Sequence, residues 1–172
     1  MKKNLLILIS FLFIISIKAQ NNIALKTSLG IDGYNINYDD TFFSGGKIGV
    51  EMAVLKKLTV GGSVGFNQAS QNSSVTHFGL DTRYYFGTQV MQGFYSELGV
   101  SYNVFKFSNV PSEKVDFIPK NTVSVFLNGG VQKIIKEKII LGFKLGMGVF
   151  GPKGSTSPAL RLQGAFELGY KF

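Results

Sequence analysis

The chain has 172 residues, no Cys, no Trp, 16 Phe, 7 Tyr, 21 Gly and a formal net charge of +8. Without Cys there is no disulfide framework and no thiolate site. The charges are scattered singly, which argues against nucleic-acid binding, where basic residues gather on one face.

Met1–Gln20 reads as a targeting segment. Lys2 and Lys3 open it, Leu5–Ile17 is apolar apart from Ser10 and Ser16, and Ile17-Lys18-Ala19 is followed by a cut before Gln20. The apolar run is about 13 residues, short of the roughly 20 that a spanning helix needs. The expectation is a signal peptide over 1–19 and one domain over 20–172. Loss of Lys2, Lys3 and Lys18 takes Lys+Arg from 18 to 15 against 10 Asp+Glu, a net charge of +5.

Eight segments of period two follow, each with one apolar and one polar or small face. Asn22–Gly33 sets Ile23, Leu25, Leu29 and Ile31 against Lys26, Ser28 and Asp32. Phe43–Val54 sets Ile48, Val50 and Met52 against Lys47, Gly49 and Glu51. Leu58–Gln68 sets Val60, Val64 and Phe66 against Thr59, Ser63 and Asn67. Val75–Phe86 sets Phe78, Leu80 and Tyr84 against His77, Asp81 and Arg83. Phe94–Val104 sets Leu98, Val100 and Tyr102 against Glu97, Ser101 and Asn103. Thr122–Lys133 sets Val123, Val125 and Leu127 against Ser124, Asn128 and Gln132. Lys138–Phe150 sets Leu141, Leu145 and Met147 against Lys144 and several Gly.

The last segment, Ala159–Phe172, places Leu160, Leu162, Phe166, Leu168, Tyr170 and Phe172 on one parity. The other parity holds Arg161, Gln163, Glu167 and Lys171.

Connections at Leu55–Lys57, Gly87–Gly93 and Ile134–Glu137 are tight. Those at Tyr34–Phe42, Ala69–Ser74, Phe105–Asn121 and Gly151–Pro158 are mostly longer. Short turns on one side and long loops on the other is the layout of a membrane barrel. Val131–Leu141 also carries helical spacing, but a lone helix there would leave seven strands and open edges in lipid. Two strand ends around a Lys-rich turn fit better.

The C-terminal Tyr170-Lys171-Phe172 resembles the sorting signal of Gram-negative outer-membrane β-barrels. As a whole, residues 20–172 resemble the small eight-stranded, porin-like outer-membrane superfamily. The style is that of Bacteroidetes outer-membrane β-barrel domain proteins, with which the Ala19-Gln20 junction agrees. The resemblance implies an all-β, antiparallel, up-and-down transmembrane barrel in the cell outer membrane. It also implies monomeric contact with outer-membrane lipids and with the barrel assembly machinery through the last strand. The superfamily includes adhesion-like, pore-forming and lipid-modifying members. A structural or surface-interaction role with a plugged lumen is expected here. A narrow pore and a lipid-modifying enzyme are the alternatives.

No residue is assigned to catalysis, cofactor or metal. His77 is the sole histidine and lacks the partners of a catalytic set. The Gly-rich runs 61–65 and 142–148 do not open a helix, so they read as small barrel positions and not phosphate loops. Asp39-Asp40, with Asp32 nearby, matches no calcium-loop spacing. The longest loop, Phe105–Asn121, reads either as a solvated connection or as a contact surface for a partner.

Two aromatic girdles are expected, Tyr84, Phe86, Phe94, Tyr170 and Phe172 at the tight-turn end and Phe43, Phe66, Phe78 and Tyr102 toward the loops. Inside, Lys26, Glu51, Arg83, Glu97, Lys144 and Glu167 alternate in sign along the strand order. Arg83 and Glu97 are equidistant from one turn and are expected to face each other. Lys26 and Glu51 are similarly placed about the first loop, and closure of strand eight on strand one brings Glu167 near Lys26. This predicts a ring of alternating ion pairs that plugs the tight-turn half of the lumen.

Overall fold

The computed structural model describes residues 23–36, 39–69, 73–106, 121–151 and 159–172. Eight antiparallel strands close into an up-and-down barrel: β1 (Ile23–Ile36), β2 (Asp39–Leu55), β3 (Leu58–Gln68), β4 (Ser74–Tyr85), β5 (Gly93–Lys106), β6 (Asn121–Ile135), β7 (Ile139–Phe150) and β8 (Ala159–Lys171). Each strand pairs with its sequence neighbour, and β8 returns to β1 with Leu25 opposite Tyr170 and Ile31 opposite Gly164. Closure leaves no edge strand, which hydrocarbon would not tolerate. The expected signal segment and most of the longest loop lie outside the described residues.

The barrel is inverted relative to a soluble fold. Leu29, Leu80, Leu98, Leu127, Leu145 and Phe166 are among the most exposed side chains, whereas Lys26, Glu51, Arg83, Glu97, Arg161 and Glu167 are buried. Period-two alternation fixes this, because every inward polar residue has an apolar neighbour facing out. Six of the eight segments match the strands to within two residues at either end.

The exception is the first hairpin. Tyr34–Phe42 is not a long loop: the β1–β2 ladder continues to Ile36 opposite Asp39. The Asn and Asp residues there suggested turn chemistry, but cross-strand pairing in a long hairpin overrides that local preference. Phe43 is also corrected. It is 0 % exposed and faces the lumen, whereas Phe42 is 62 % exposed. Phe43 shares the parity of Lys47 and Glu51, so the period that points those charges inward carries the ring in as well. The other rings expected in the girdles are exposed on the outer surface, with Tyr84–Phe86 and Tyr170–Phe172 in edge contact.

The helical alternative for Val131–Leu141 is excluded. Ile134 pairs with Ile140 and Ile135 with Ile139, and the Lys138 amide donates to the Ile135 carbonyl at 3.2 Å. Lys136 and Glu137 have φ of 50° and 64°, the left-handed pair that lets a tight hairpin follow strand twist.

Candidate functional site

The polar lumen is the candidate site. In its tight-turn half, β4 carries Arg83 opposite Glu97 of β5, and Nε lies 2.6 Å from Glu97 Oε2. The expected direct pair is present. The expected ring of alternating pairs is present as well: Lys26–Glu51, Glu51–Arg83, Arg83–Glu97, Glu97–Lys144, Lys144–Glu167 and Glu167–Lys26 each lie within 4.0 Å, and one contact is added to it. Arg83 crosses the lumen to β8, donating through Nη1 and Nη2 to the two Glu167 oxygens at 2.9 and 2.7 Å. It also lies 3.4 Å from Glu51 on β2 and 3.7 Å from Asp81 on its own strand. One planar guanidinium is thus the hub for four carboxylates, and its fork geometry suits the two-pronged bond to Glu167. The added contact across the lumen has a physical cause. An eight-stranded lumen is narrow enough that a long side chain reaches the opposite wall as easily as the adjacent strand.

Two lysines complete the cluster. Lys26 pairs with Glu51 and stands 4.0 Å from Glu167. Lys144 bridges Glu97 at 3.0 Å and Glu167 at 3.3 Å. Remaining acceptor capacity is filled by neutral donors. Thr59 and Tyr85 hydroxyls donate to Glu51 at 2.6 and 2.7 Å, and Tyr95 donates to Glu167 at 3.2 Å. The Arg83 guanidinium also stacks 4.7 Å from the Tyr95 ring centroid. Buried charges persist only when paired and hydrogen-bonded to this degree. Backbone space permits it: a Cβ on Gly61, which lies between Glu51 and Asp81, would come within 2.9 Å of the Asp81 carboxylate.

A second cluster fills the loop-side half, with pairings that parity alone does not give. Asp32 accepts from Arg161 Nη2 at 3.0 Å and from Asn67 at 2.5 Å, with Lys47 Nζ at 3.4 Å. His77 shares a hydrogen bond of 2.7 Å between Nδ1 and Asn103 Oδ1. Its Nε2 is 3.3 Å from Asp32, near enough for attraction but without hydrogen-bond alignment. Arg161 also donates to Ser101 Oγ at 2.9 Å and stacks on Tyr34, 5.3 Å away. Parity placed these residues inside. Counting depth from the loop end as well as the turn end would have brought Asp32 and Arg161 to one level, on neighbouring strands. Asp32 is engaged by two cations and an amide of the lumen.

Apolar clusters sit beyond each polar cluster. Tyr34, Phe43, Val75, Phe105 and Phe150 pack toward the loop end, with Tyr34 in edge contact with all three Phe rings. Ala24, Tyr85, Met91, Tyr95 and Ile140 pack toward the turn end. There the 86–92 connection tucks Met91 inward at a φ of 62°, and its carbonyl accepts from Gln132 at 2.5 Å. Between the clusters the described interior holds spaces of about 10 Å³ beside Asp32 and Asn67 and about 40 Å³ beside Glu51 and Asp81. These suit one or a few waters.

Fold and inverted polarity define a small eight-stranded barrel of the membrane-spanning class. The chain belongs to the family described as a protein of unknown function, DUF3575, whose profile matches residues 5–156. Solved structures share the fold. A neisserial surface protein, NspA, is 11 % identical with a TM-score of 0.65, covering 87 % of this chain and 97 % of that one. The outer membrane protein OprG of Pseudomonas aeruginosa is 11 % identical with a TM-score of 0.57, covering 88 % and 96 %. Ail, the attachment invasion locus protein of Yersinia pestis, solved with the heparin analogue sucrose octasulfate, is 10 % identical with a TM-score of 0.57, covering 88 % and 98 %. No curated protein matches the chain in sequence.

Proposed function

We propose that the chain is an integral outer-membrane barrel with a structural or surface-interacting role, a plugged lumen and no enzymatic activity. Residues 1–19 direct export and are removed, and the Ala19-Gln20 junction suits an exported Bacteroidetes protein. The monomer is surrounded by outer-membrane lipid and is assembled through its C-terminal strand. The observation that carries the plug is the Arg83 hub, which ties β2, β4, β5 and β8 together across the lumen. Apolar clusters on either side of the two polar ones add to it. Outward aliphatic rows and the exposed Tyr and Phe rings support a lipid surround. Planar-bilayer recording of the purified barrel is the test. A flat trace is expected, and steady single-channel conductance would replace the plug with a narrow pore.

A further inference from the structure

The charges of this barrel are distributed unevenly between its ends. Within the lumen, Lys26, Lys47, Arg83, Lys144 and Arg161 face Asp32, Glu51, Asp81, Glu97 and Glu167, five of each sign. In the sequence, the segments between β1 and β2, β5 and β6, and β7 and β8, with the strand ends beside them, are balanced too: Lys106, Lys114, Lys120 and Lys153 equal in number Asp39, Asp40, Glu113 and Asp116. All that remains of residues 20–172 is Lys56, Lys57, Lys133, Lys136, Lys138 and Lys171 against Glu137 alone. Every one of these lies in or beside the β2–β3 turn, the β6–β7 turn or the end of β8. The entire net charge of +5 therefore sits on the tight-turn rim.

The rim lysines are placed for a membrane surface. Lys133 belongs to the outward row of β6, opposite Leu141, and is exposed. Lys138 holds its ammonium 5.8 Å from the centroid of Tyr170, a ring of the outward row of β8. Lys56, Lys57 and Lys136 are exposed at the turns. Beneath them lie the Tyr84, Phe86, Phe94, Tyr170 and Phe172 rings, which mark headgroup depth. A ring of cations just outside an aromatic girdle meets the phosphates of the surrounding leaflet.

We propose that the tight-turn rim is a docking surface for anionic phospholipid headgroups. The proposal rests on the membrane placement argued above. Each engaged lysine contributes about fivefold in affinity near an anionic surface at low salt. The attraction is screened as ionic strength rises.

The test inserts the purified barrel into phosphatidylcholine vesicles and measures its preference for spin-labelled phosphatidylglycerol over spin-labelled phosphatidylcholine by electron paramagnetic resonance. Wild type is expected to prefer phosphatidylglycerol at least about threefold, and less as salt is raised. Changing Lys56, Lys57, Lys133, Lys136 and Lys138 together to Gln is expected to abolish the preference. Lys106→Gln, at the opposite end, is expected to leave it intact. A heat-modifiable gel shift reports folding for every variant. A folded, inserted wild type without preference overturns the proposal and leaves the membrane reading standing. So does a five-lysine variant that keeps the preference, or Lys106→Gln abolishing it. Lysine-dependent binding of soluble polyglutamate without lipid preference also overturns it, in favour of an acidic polymer. Failure of wild type to insert into any vesicle overturns both.

Discussion

Replacing Arg83 with Met keeps the length of the side chain and removes the hub. Glu167 loses its two-pronged partner at 2.9 and 2.7 Å, and Glu97 loses a contact of 2.6 Å. Three of the four carboxylates keep a lysine: Lys144 for Glu97 and Glu167, and Lys26 for Glu51 and Glu167. Removing one member of a buried ion pair costs about 3–5 kcal/mol, mostly because the other charge is left uncompensated. The remaining lysines place the expected loss near the lower end, about 3 kcal/mol. At about 2–4 °C per kcal/mol for a chain of this size, that is a fall of roughly 6–12 °C in Tm. Thermal unfolding in detergent, followed by the heat-modifiable gel shift, reads it. Adding Glu167→Gln removes the orphaned charge and is expected to recover much of the loss. Arg83→Glu with Glu97→Arg, which would restore stability if Arg83 met Glu97 alone, is expected to fail. It sets a fourth carboxylate beside Glu51, Glu167 and Asp81. A loss below about 1 kcal/mol for Arg83→Met, or full recovery by the charge exchange, would refute the hub.

Other variants probe the remaining elements. Tyr34→Ala removes the ring that touches Phe43, Phe105 and Phe150 and is expected to cost about 3–5 kcal/mol in urea unfolding, with m unchanged. Gly99→Leu builds a Cβ within 2.7 Å of the Leu80 carbonyl and against the Phe126 ring, so a sharply reduced folded yield is expected on the gel-shift assay. Lys136→Asn with Glu137→Gly relieves two side-chain-bearing residues at φ of 50° and 64° and is expected to raise stability by about 1 kcal/mol; an unchanged melt would refute strain in that turn. Deleting Phe172 removes its amide bond of 2.9 Å to the Ile23 carbonyl and one girdle ring, and is expected to lower outer-membrane yield while synthesis continues.

The period-two alternation of residues 22–172 determined the strands, their inner and outer faces and, through the count of eight, closure of the sheet. It could do so because lipid outside and polar packing inside impose one rule on every residue. The same rule placed Arg83 opposite Glu97, since neighbours across a short turn inherit their register from it. It also pointed Phe43 inward, where an expectation built on girdles had set it facing lipid. The sequence did not decide which charges meet across the lumen. Arg83 and Glu167 are 84 residues apart and on non-adjacent strands. Their contacts depend on strand stagger and lumen width, which only closure of all eight strands sets. The extension of β1 and β2 through an Asn- and Asp-rich segment was likewise decided by pairing, which outweighed the local preference of those residues for turns.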